Sequence, residues 1–258
     1  MIRIESVTKQ FGGIFAVNNA SMEIEKGSIT ALIGPNGAGK TTLFNIVAGH
    51  CLPTSGYIYL QGEDITGLPP YKLFAKGLLR TFQVAHEFST LTLLENLMMV
   101  PSGQLGETLV NTWFRRSQVR VQEQEIEARA RDVINFLNLD HLVNEKAGNL
   151  SGGQKKLLEL GRTMMVKAKI VLLDEIGAGV NRTLLAKIGD LIMRLNQEYG
   201  YTFCMIEHDM DFISRLCNPV IVMADGAVLA QGSARDMTKN EDVIEAYLGK
   251  GPQKKKTE

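Results

Sequence analysis

The sequence has few cysteines, and their placement excludes two kinds of cysteine-based scaffold. Only three occur in 258 residues, Cys51, Cys204 and Cys217, and none is part of a C-x-x-C pair. This spacing argues against a zinc site and against a disulfide framework. We expect the three to be small, mostly buried side chains in a reducing compartment.

An excess of either charge and a long apolar run are also missing. The 28 basic and 28 acidic side chains balance, so the electrostatic signature of a nucleic-acid-binding protein is absent. No run approaches the roughly 18 apolar residues that a membrane-spanning helix needs. Residues 1–5 resemble the start of a strand, so we expect no signal peptide. The length fits one large α/β domain or two small ones.

What the sequence does contain is a complete phosphate-binding loop. Residues 34–41 match the pattern G-x-x-x-x-G-K-[ST], after an apolar strand and before a helix. Free amide groups and the helix dipole attract phosphates there, Lys40 would reach the β- and γ-phosphates, and the Thr41 hydroxyl would bind Mg²⁺. The predicted nucleotide-binding residues here are Asn36, Gly37, Ala38, Gly39, Lys40, Thr41 and Thr42. Kinases, GTPases, helicases and transport ATPases share such a loop.

Polar residues at the ends of further apolar strands predict the remainder of this site. Asp174 and Glu175 end one strand: Asp174 could hold Mg²⁺ or its water shell, and Glu175 could accept a proton from an attacking water. His208 follows another strand and could donate a hydrogen bond to a γ-phosphate. Gln83 ends a third predicted strand, at the edge where ligands bind in parallel sheets.

A second anion site is predicted by Leu150-Ser151-Gly152-Gly153-Gln154. Small residues precede a predicted helix there, so Ser151, Gly152 and Gly153 would form a helix start that attracts anions. Apolar residues recur at helical spacing from about residue 84 to residue 150, and Trp113 to about Leu139 predicts one amphipathic helix. This part of the chain is therefore interpreted as a helical subdomain inserted in the α/β core.

Taken in order, these motifs resemble those of ATP-binding cassette (ABC) proteins over nearly the whole chain. The LSGGQ signature at 150–154 discriminates, since other phosphate-loop ATPases lack it. The resemblance implies a phosphate-loop NTPase (RecA-like) core with a mainly parallel sheet, an N-terminal antiparallel β subdomain and an α-helical subdomain inserted at about 84–160. A single ATP-binding domain would cover 1–250, followed by a disordered basic tail at 251–258.

The resemblance also implies ATP and Mg²⁺ as ligands and a second cassette as partner. Ser151, Gly152, Gly153 and Gln154 of one cassette would close over the γ-phosphate held by the loop of the other, which is a copy or a related subunit. Phe11, which could otherwise be an apolar plug under its turn, becomes the expected adenine platform, with Val17 packed beside the base. Gln83 would contact Mg²⁺ and the attacking water, and would sense a membrane partner.

Within that family, the sequence is most similar to ATP-binding subunits of branched-chain amino acid uptake systems. Phe11-Gly12-Gly13, Arg80-Thr81-Phe82-Gln83 and Leu91-Thr92-Leu93-Leu94-Glu95-Asn96 support this similarity. It implies an importer ATPase on the cytoplasmic face of the membrane, with integral permease subunits and, indirectly, a solute-binding protein as partners and no nucleic acid. Two departures are Ile176, where the family usually has proline, and Ala178-Gly179-Val180-Asn181 in place of a commoner S-A-L-D loop.

Two alternative functions stay open at this point. Urea-uptake cassettes share many of the same features, so urea or another small polar solute is a possible cargo. A soluble cassette that acts on DNA or the ribosome is the other alternative. Proteins of that kind typically have twin cassettes, long coiled coils or zinc modules, and this sequence shows one set of motifs without an internal repeat.

Overall fold

The computed structural model describes residues 1–81, 87–166 and 168–248. The chain divides into two compact units, one formed by residues 1–80 and 169–258 and the other by residues 81–168. The strands are β1 (Ile2–Phe11), β2 (Ile14–Ile24), β3 (Ile29–Ile33), β4 (Ser55–Leu60), β5 (Glu63–Asp64), β6 (Leu78–Arg80), β7 (Ile170–Asp174), β8 (Thr202–Ile206), β9 (Val220–Ala224) and β10 (Ala227–Gly232). The α-helices are α1 (Lys40–Val47), α2 (Pro70–Ala75), α3 (Leu93–Met98), α4 (Leu109–Phe114), α5 (Arg116–Phe136), α6 (Gly152–Met164), α7 (Arg182–Tyr199), α8 (Met210–Leu216), α9 (Ala234–Met237) and α10 (Glu241–Tyr247).

The N-terminal part of the first unit is an antiparallel sheet in the order β2-β1-β4-β5. Strand β1 pairs with β2 from Ile2 opposite Ile24 to Phe11 opposite Ile14, and a turn at Gly12 joins them. Apolar and polar residues alternate along these strands, so one face of the sheet is buried. The antiparallel sheet that the family resemblance implies for the N-terminal part of the chain is present.

The other sheet of this unit places the strand ends that matter for function. Within the described residues its order is β10-β9-β3-β8-β7-β6, and all neighbours are parallel except β9 and β10. Every residue of β3, β7, β8 and β9 is buried, which explains their nearly continuous apolar sequences. Because β3, β7 and β8 are parallel, their carboxyl ends lie along one edge of the sheet.

The second unit contains helices and short 3₁₀ turns in the part that the structure describes. Helix α5 buries an apolar stripe of Val119, Ile126, Ala130, Val133 and Ile134. The helix predicted to begin at Trp113 begins instead at Arg116. Arg115 has non-helical φ and ψ angles of −126° and 34°, so a separate short helix, α4, precedes α5. None of the helices described in either unit is long and apolar enough to cross a bilayer.

The cysteines largely meet the expectation of structural side chains. Cys204 and Cys217 are buried, Cys51 is half-buried, and all three are free thiols. Burial raises the pKa of Cys217 to about 12, and the negative charge of Glu207 adds to this rise. Burial also raises the pKa of Cys204, with Cys217 contributing. Both buried side chains therefore stay neutral at physiological pH.

Two glycines at left-handed positions in the N-terminal sheet provide a matched stability test. Gly56 has φ +91° and Gly62 has φ +85°, so alanine is strained at both. A Cβ at Gly56 would lie 2.5 Å from the Ser6 oxygen and 2.6 Å from the Val7 Cα, whereas one at Gly62 meets nothing within 4 Å. We expect Gly56→Ala to lower the free energy of unfolding by about 1–3 kcal/mol more than Gly62→Ala, measured by urea denaturation. Equal losses would show that the close backbone approach is unimportant.

Candidate functional site

The phosphate loop between β3 and α1 is packed too closely for side chains at two of its glycines. Gly34 has φ +147°, and a Cβ there would overlap the backbone carbonyl of Met223. Gly39 has φ +93°, and a Cβ there would overlap the backbone carbonyl of Ala16. The loop is thus held between the end of β9 and strand β2, and its backbone can approach a ligand closely.

The first turn of α1 leaves backbone amides available to an anion. Its N-cap is Gly39, which has no side chain, and no described side chain caps this helix start by a hydrogen bond. Asn36 and Gly37, before it in the loop, are exposed. Uncapped amides together with the helix dipole favour a bound phosphate group, so the loop fits a nucleotide.

Lys40 supplies the positive charge of the loop. Its ammonium is buried and donates hydrogen bonds to the carbonyl oxygens of Gly34 at 2.8 Å and Pro35 at 3.0 Å. Burial lowers the pKa of Lys40, and the negative charges of Glu175 and Asp174 oppose that effect. The ammonium therefore both closes the loop and interacts with the two predicted catalytic carboxylates.

Asp174 ends β7 and is held by a buried ion pair that sequence reasoning missed. Its Oδ2 accepts a hydrogen bond from Arg80 Nη2 at 2.8 Å, and both side chains are at least nine-tenths buried. Arg80 Nη1 also donates to Asn45 Oδ1. One guanidinium thus connects β6, β7 and α1 behind the phosphate loop. The residues are 94 positions apart in the chain, so no local pattern indicates the pair.

Glu175 and His208 meet at the ends of the adjacent strands β7 and β8. Glu175 Oε1 lies 3.1 Å from His208 Nε2, and the Glu175 amide donates to the Ile206 oxygen at 3.0 Å. Glu175 has φ +49°, a left-handed conformation that is uncommon for a residue with a side chain and that often occurs at functional sites. The structure therefore brings together two of the predicted catalytic residues.

Glu207, which sequence reasoning overlooked, forms a hydrogen bond with the loop that follows Glu175. Its side chain is buried, and Oε1 accepts a hydrogen bond from the Gly177 amide at 2.8 Å. On its other side, Asp209 caps α8 by accepting from the Phe212 amide at 3.0 Å. The sequence signal that could have identified Glu207 is its position, since a glutamate that directly follows an apolar strand can be buried as a hydrogen-bond acceptor.

An open cavity of about 520 Å³ adjoins the phosphate loop. Besides residues 36–42 of the loop, Glu175 and His208 line it, together with Ile14, Phe15 and Ala16 of β2. Phe15 is half exposed. Sequence reasoning did not consider this aromatic residue, although the adjacent pair Ile14-Phe15 directly follows the turn at Gly12 and Gly13.

The two residues predicted to contact the base are not among the described residues that line this cavity. Phe11 is exposed but is not among the described residues that line the cavity, and Lys9 Nζ lies 4.9 Å from the centre of its ring. Val17 is completely buried in the core, and its contact with the base stays a prediction.

The predicted second anion site, in the helical unit, begins α6 with reciprocal caps. Ser151 Oγ accepts from the Gln154 amide at 3.3 Å, and Gln154 Oε1 accepts from the Ser151 amide at 2.8 Å. Gly152 is exposed, and a Cβ there would meet nothing within 4 Å, whereas Gly153 is buried. The helix start thus presents an open surface to solvent. Gln83, in contrast, lies outside the described residues, as does the predicted tail at 251–258.

The available oxygen donors fit Mg²⁺ better than a transition metal. Thr41 presents an exposed hydroxyl and Asp174 a carboxylate, both hard oxygen donors. The described residues contain no group of three or more His, Cys, Asp or Glu side chains that could hold a metal by themselves. Mg²⁺ is commonly held by one or two protein oxygens together with substrate phosphates, and this donor set matches that pattern.

Comparison with known proteins decides the family. The model of the ABC transporter family matches residues 17–178. The chain belongs to the ABC transporter family. It is 39% identical to the probable branched-chain amino acid transport ATP-binding protein LivG of Archaeoglobus fulgidus, over 96% of this chain and 95% of the relative. It is 38% identical to the high-affinity branched-chain amino acid transport ATP-binding protein BraF of Pseudomonas aeruginosa, over 96% of this chain and 98% of the relative.

Solved structures of this family have the same fold. An ATP-binding cassette of an ABC transporter in its ADP conformation is 34% identical and superposes with a TM-score of 0.82, over 96% of this chain and 98% of that one. A dimeric cassette in a post-hydrolysis state, bound to ADP and phosphate, is 25% identical with a TM-score of 0.75, over 91% and 99% of the two chains. The predicted fold class and the prediction of a nucleotide-binding transport ATPase are confirmed.

The Arg80–Asp174 ion pair can be tested by removing one partner. Arg80→Met leaves a buried carboxylate, and we expect the free energy of unfolding to fall by about 3 kcal/mol. This is the low end for a broken buried pair, because Lys40 leaves positive charge near Asp174. Urea denaturation measures the effect. Arg80→Met combined with Asp174→Asn should regain part of the loss.

Arg131→Met is the matched control for that measurement. It breaks an exposed ion pair with Glu127 on α5, so its effect should stay below about 1 kcal/mol. If Arg80→Met and Arg131→Met proved equally mild, the buried pair would not hold the site together.

Proposed function

We propose that this chain is the ATP-hydrolysing subunit of an importer for branched-chain amino acids. The observation that carries the proposal is the meeting of Glu175 and His208, 3.1 Å apart, beside the phosphate loop in a chain of this family. The relatives named for branched-chain amino acid transport support the cargo, because they match along almost their entire length.

The reaction is transfer of the γ-phosphoryl group of ATP to water, which depends mainly on positioning and charge stabilisation. The loop amides and Lys40 would bind the phosphates, and His208 would donate a hydrogen bond to the γ-phosphate. Glu175, positioned by its contact with His208, would accept the proton of the attacking water. Mg²⁺, when held by Thr41 and Asp174 with Gln83, would offset phosphate charge.

Two cassettes would enclose each nucleotide. The open start of α6 at Ser151 and Gly152 is a second anion-binding surface, separate in sequence from the phosphate loop. One chain has one set of motifs, so we propose that Ser151 and its neighbours close over the phosphate held by a copy or by a related subunit. The dimeric cassette with a similar fold supports this pairing.

The proposed partners follow from the reaction's use in transport. Integral permease subunits would carry the cargo and a solute-binding protein would deliver it, with this chain bound to the cytoplasmic face of the membrane. The absence of a membrane-spanning helix among the described residues is compatible with a peripheral subunit. ATP-driven approach and separation of two cassettes would move the permease between its open states.

Glu175→Gln tests the proposed general base. Glutamine keeps the size of the side chain but cannot accept the proton, so we expect ATP binding to persist while hydrolysis falls by about two orders of magnitude or more. Equilibrium ATP binding and phosphate release measure the two effects. Glu198→Gln is a control, since Glu198 forms an exposed pair with Arg194 on α7. Near-normal turnover in Glu175→Gln would rule out its role as base.

The same variant tests the cargo in cells. In a strain lacking the chain, the wild-type gene should restore uptake of labelled leucine and Glu175→Gln should not. Restoration of urea uptake instead would support the alternative solute. Leucine and urea uptake that does not depend on the chain would contradict the transport function. It would leave open whether the purified protein hydrolyses ATP, which the preceding experiment measures separately.

Ser151→Arg tests the shared nucleotide. The larger side chain would obstruct the open start of α6, so ATP-dependent dimers of the Glu175→Gln protein should disappear in light scattering. Thr92→Arg is a matched control, because Thr92 forms the same kind of capping box at the start of α3. Both changes remove a helix cap worth about 1 kcal/mol. A loss of dimers in Ser151→Arg alone would therefore come from the position of Ser151 and not from the loss of a cap. Unchanged dimers in Ser151→Arg would refute the pairing.

A further inference from the structure

Helix α4 presents an apolar face to solvent. Leu109, Val110, Trp113 and Phe114 are 84%, 68%, 73% and 83% exposed. They occupy two i, i+4 pairs and therefore lie on one side of the helix. Exposed single apolar residues are ordinary, but four large ones on one helix face form a contiguous patch that marks an interaction surface.

The opposite side of α4 is polar, and its hydrogen bonds stay within the helix or reach the turn just before it. Thr112 Oγ1 donates hydrogen bonds to the carbonyl oxygens of Gly106 at 3.2 Å and Thr108 at 3.0 Å. Asn111, on the same side, is half-buried, and its carbonyl accepts from the Arg115 amide at 2.8 Å. Helices of globular proteins normally bury their apolar stripe, so the orientation of α4 is the reverse of the usual one.

Positive charge adjoins the apolar face. Arg115, Arg116 and Arg120 are all exposed, and none of them forms an ion pair with the described residues. Between residues 105 and 121, Glu107 is the one acidic residue of the sequence. The surface thus combines aromatic and aliphatic side chains with unneutralised guanidinium groups.

We propose that α4 and the three arginines that follow it bind the anionic headgroup region of a lipid bilayer. Tryptophan, phenylalanine and leucine on one helix face enter the interface between headgroups and acyl chains. Arginine side chains beside them would reach the lipid phosphates. A protein partner would need a groove that matches the exposed apolar face of α4. A fluid bilayer has no such requirement, because lipids adapt to the shape of this face. The proposal adds a direct lipid contact to the proposed function and needs no cargo for its test.

The sequence provides a built-in probe of this contact. Trp113 is the single tryptophan of the chain, so tryptophan emission, excited selectively over the six tyrosines, reports on α4 alone. The full-length protein is titrated with vesicles of phosphatidylcholine, with and without phosphatidylglycerol. We expect a blue shift and quenching by brominated lipid, with at least about tenfold tighter binding to the anionic vesicles and weaker binding at high salt.

Variants separate the two components of the surface. Arg115→Glu with Arg116→Glu should remove the preference for anionic vesicles, and Leu109→Ser with Phe114→Ser should abolish the shift. Tyr71→Ser, at a 70% exposed aromatic of α2 in the other unit, is the matched control and should bind as the wild type does. All of these variants keep Trp113, and the substituted residues lie outside the catalytic machinery. Basal ATP hydrolysis should therefore be unchanged, and its measurement verifies that each variant is folded.

Three results would overturn the proposal. Emission that does not respond to either vesicle, or responds equally to both, would exclude an anionic lipid surface. A blue shift that grows with protein concentration in the absence of lipid would assign the face to self-association. A shift that requires the transporter's membrane proteins and is not seen with lipid alone would assign it to a protein partner. None of these results depends on whether Glu175 acts as the base, so they leave the proposed ATPase untouched.

Discussion

The site depends on one electrostatic arrangement: a buried ammonium close to two carboxylates. Asp174 and Glu175 are adjacent, and a triphosphate placed beside them would add further negative charge. Lys40 offsets that repulsion from the side of the phosphate loop, and Arg80 offsets it from behind Asp174. Because like charges at close range repel each other, the attraction of both cations stabilises the two carboxylates beside a bound triphosphate.

The topology of the parallel sheet makes this arrangement possible. The loop follows β3, His208 follows β8 and the two carboxylates end β7, and these three strands are consecutive in the sheet. Parallel pairing places their carboxyl ends together although the residues are far apart in the chain. Close packing also fixes the position of the phosphate loop, because the backbones of β2 and β9 leave no room for side chains at Gly39 and Gly34, respectively.

The sequence predicts this site well where a function is encoded locally, and poorly where it depends on distant partners. The phosphate loop, the Asp-Glu strand end and His208 follow from short patterns, because each is fixed by one strand and its adjoining turn. The ion pair of Arg80 with Asp174 has no such pattern, since it forms only when β6 and β7 pair. Likewise Val17 and Phe15 could not be assigned to core and cavity until the register of β2 was known. The predicted start of α5 was also wrong, because the apolar residues at 109–114 belong to a helix that faces outward.

In the proposed cycle, energy coupling follows from where the phosphate-binding groups lie in the chain. Strand-end residues of one unit supply the chemistry, while the start of α6 in the other unit supplies a second anion surface. A nucleotide can favour an assembled pair over separate cassettes only if it binds the assembled pair more tightly. Contacts to the γ-phosphate from two molecules would provide that difference in affinity, and hydrolysis would remove it. Loss of a single phosphoryl group would then suffice to separate the cassettes, because the proposal places the rest of the nucleotide within one unit of one chain.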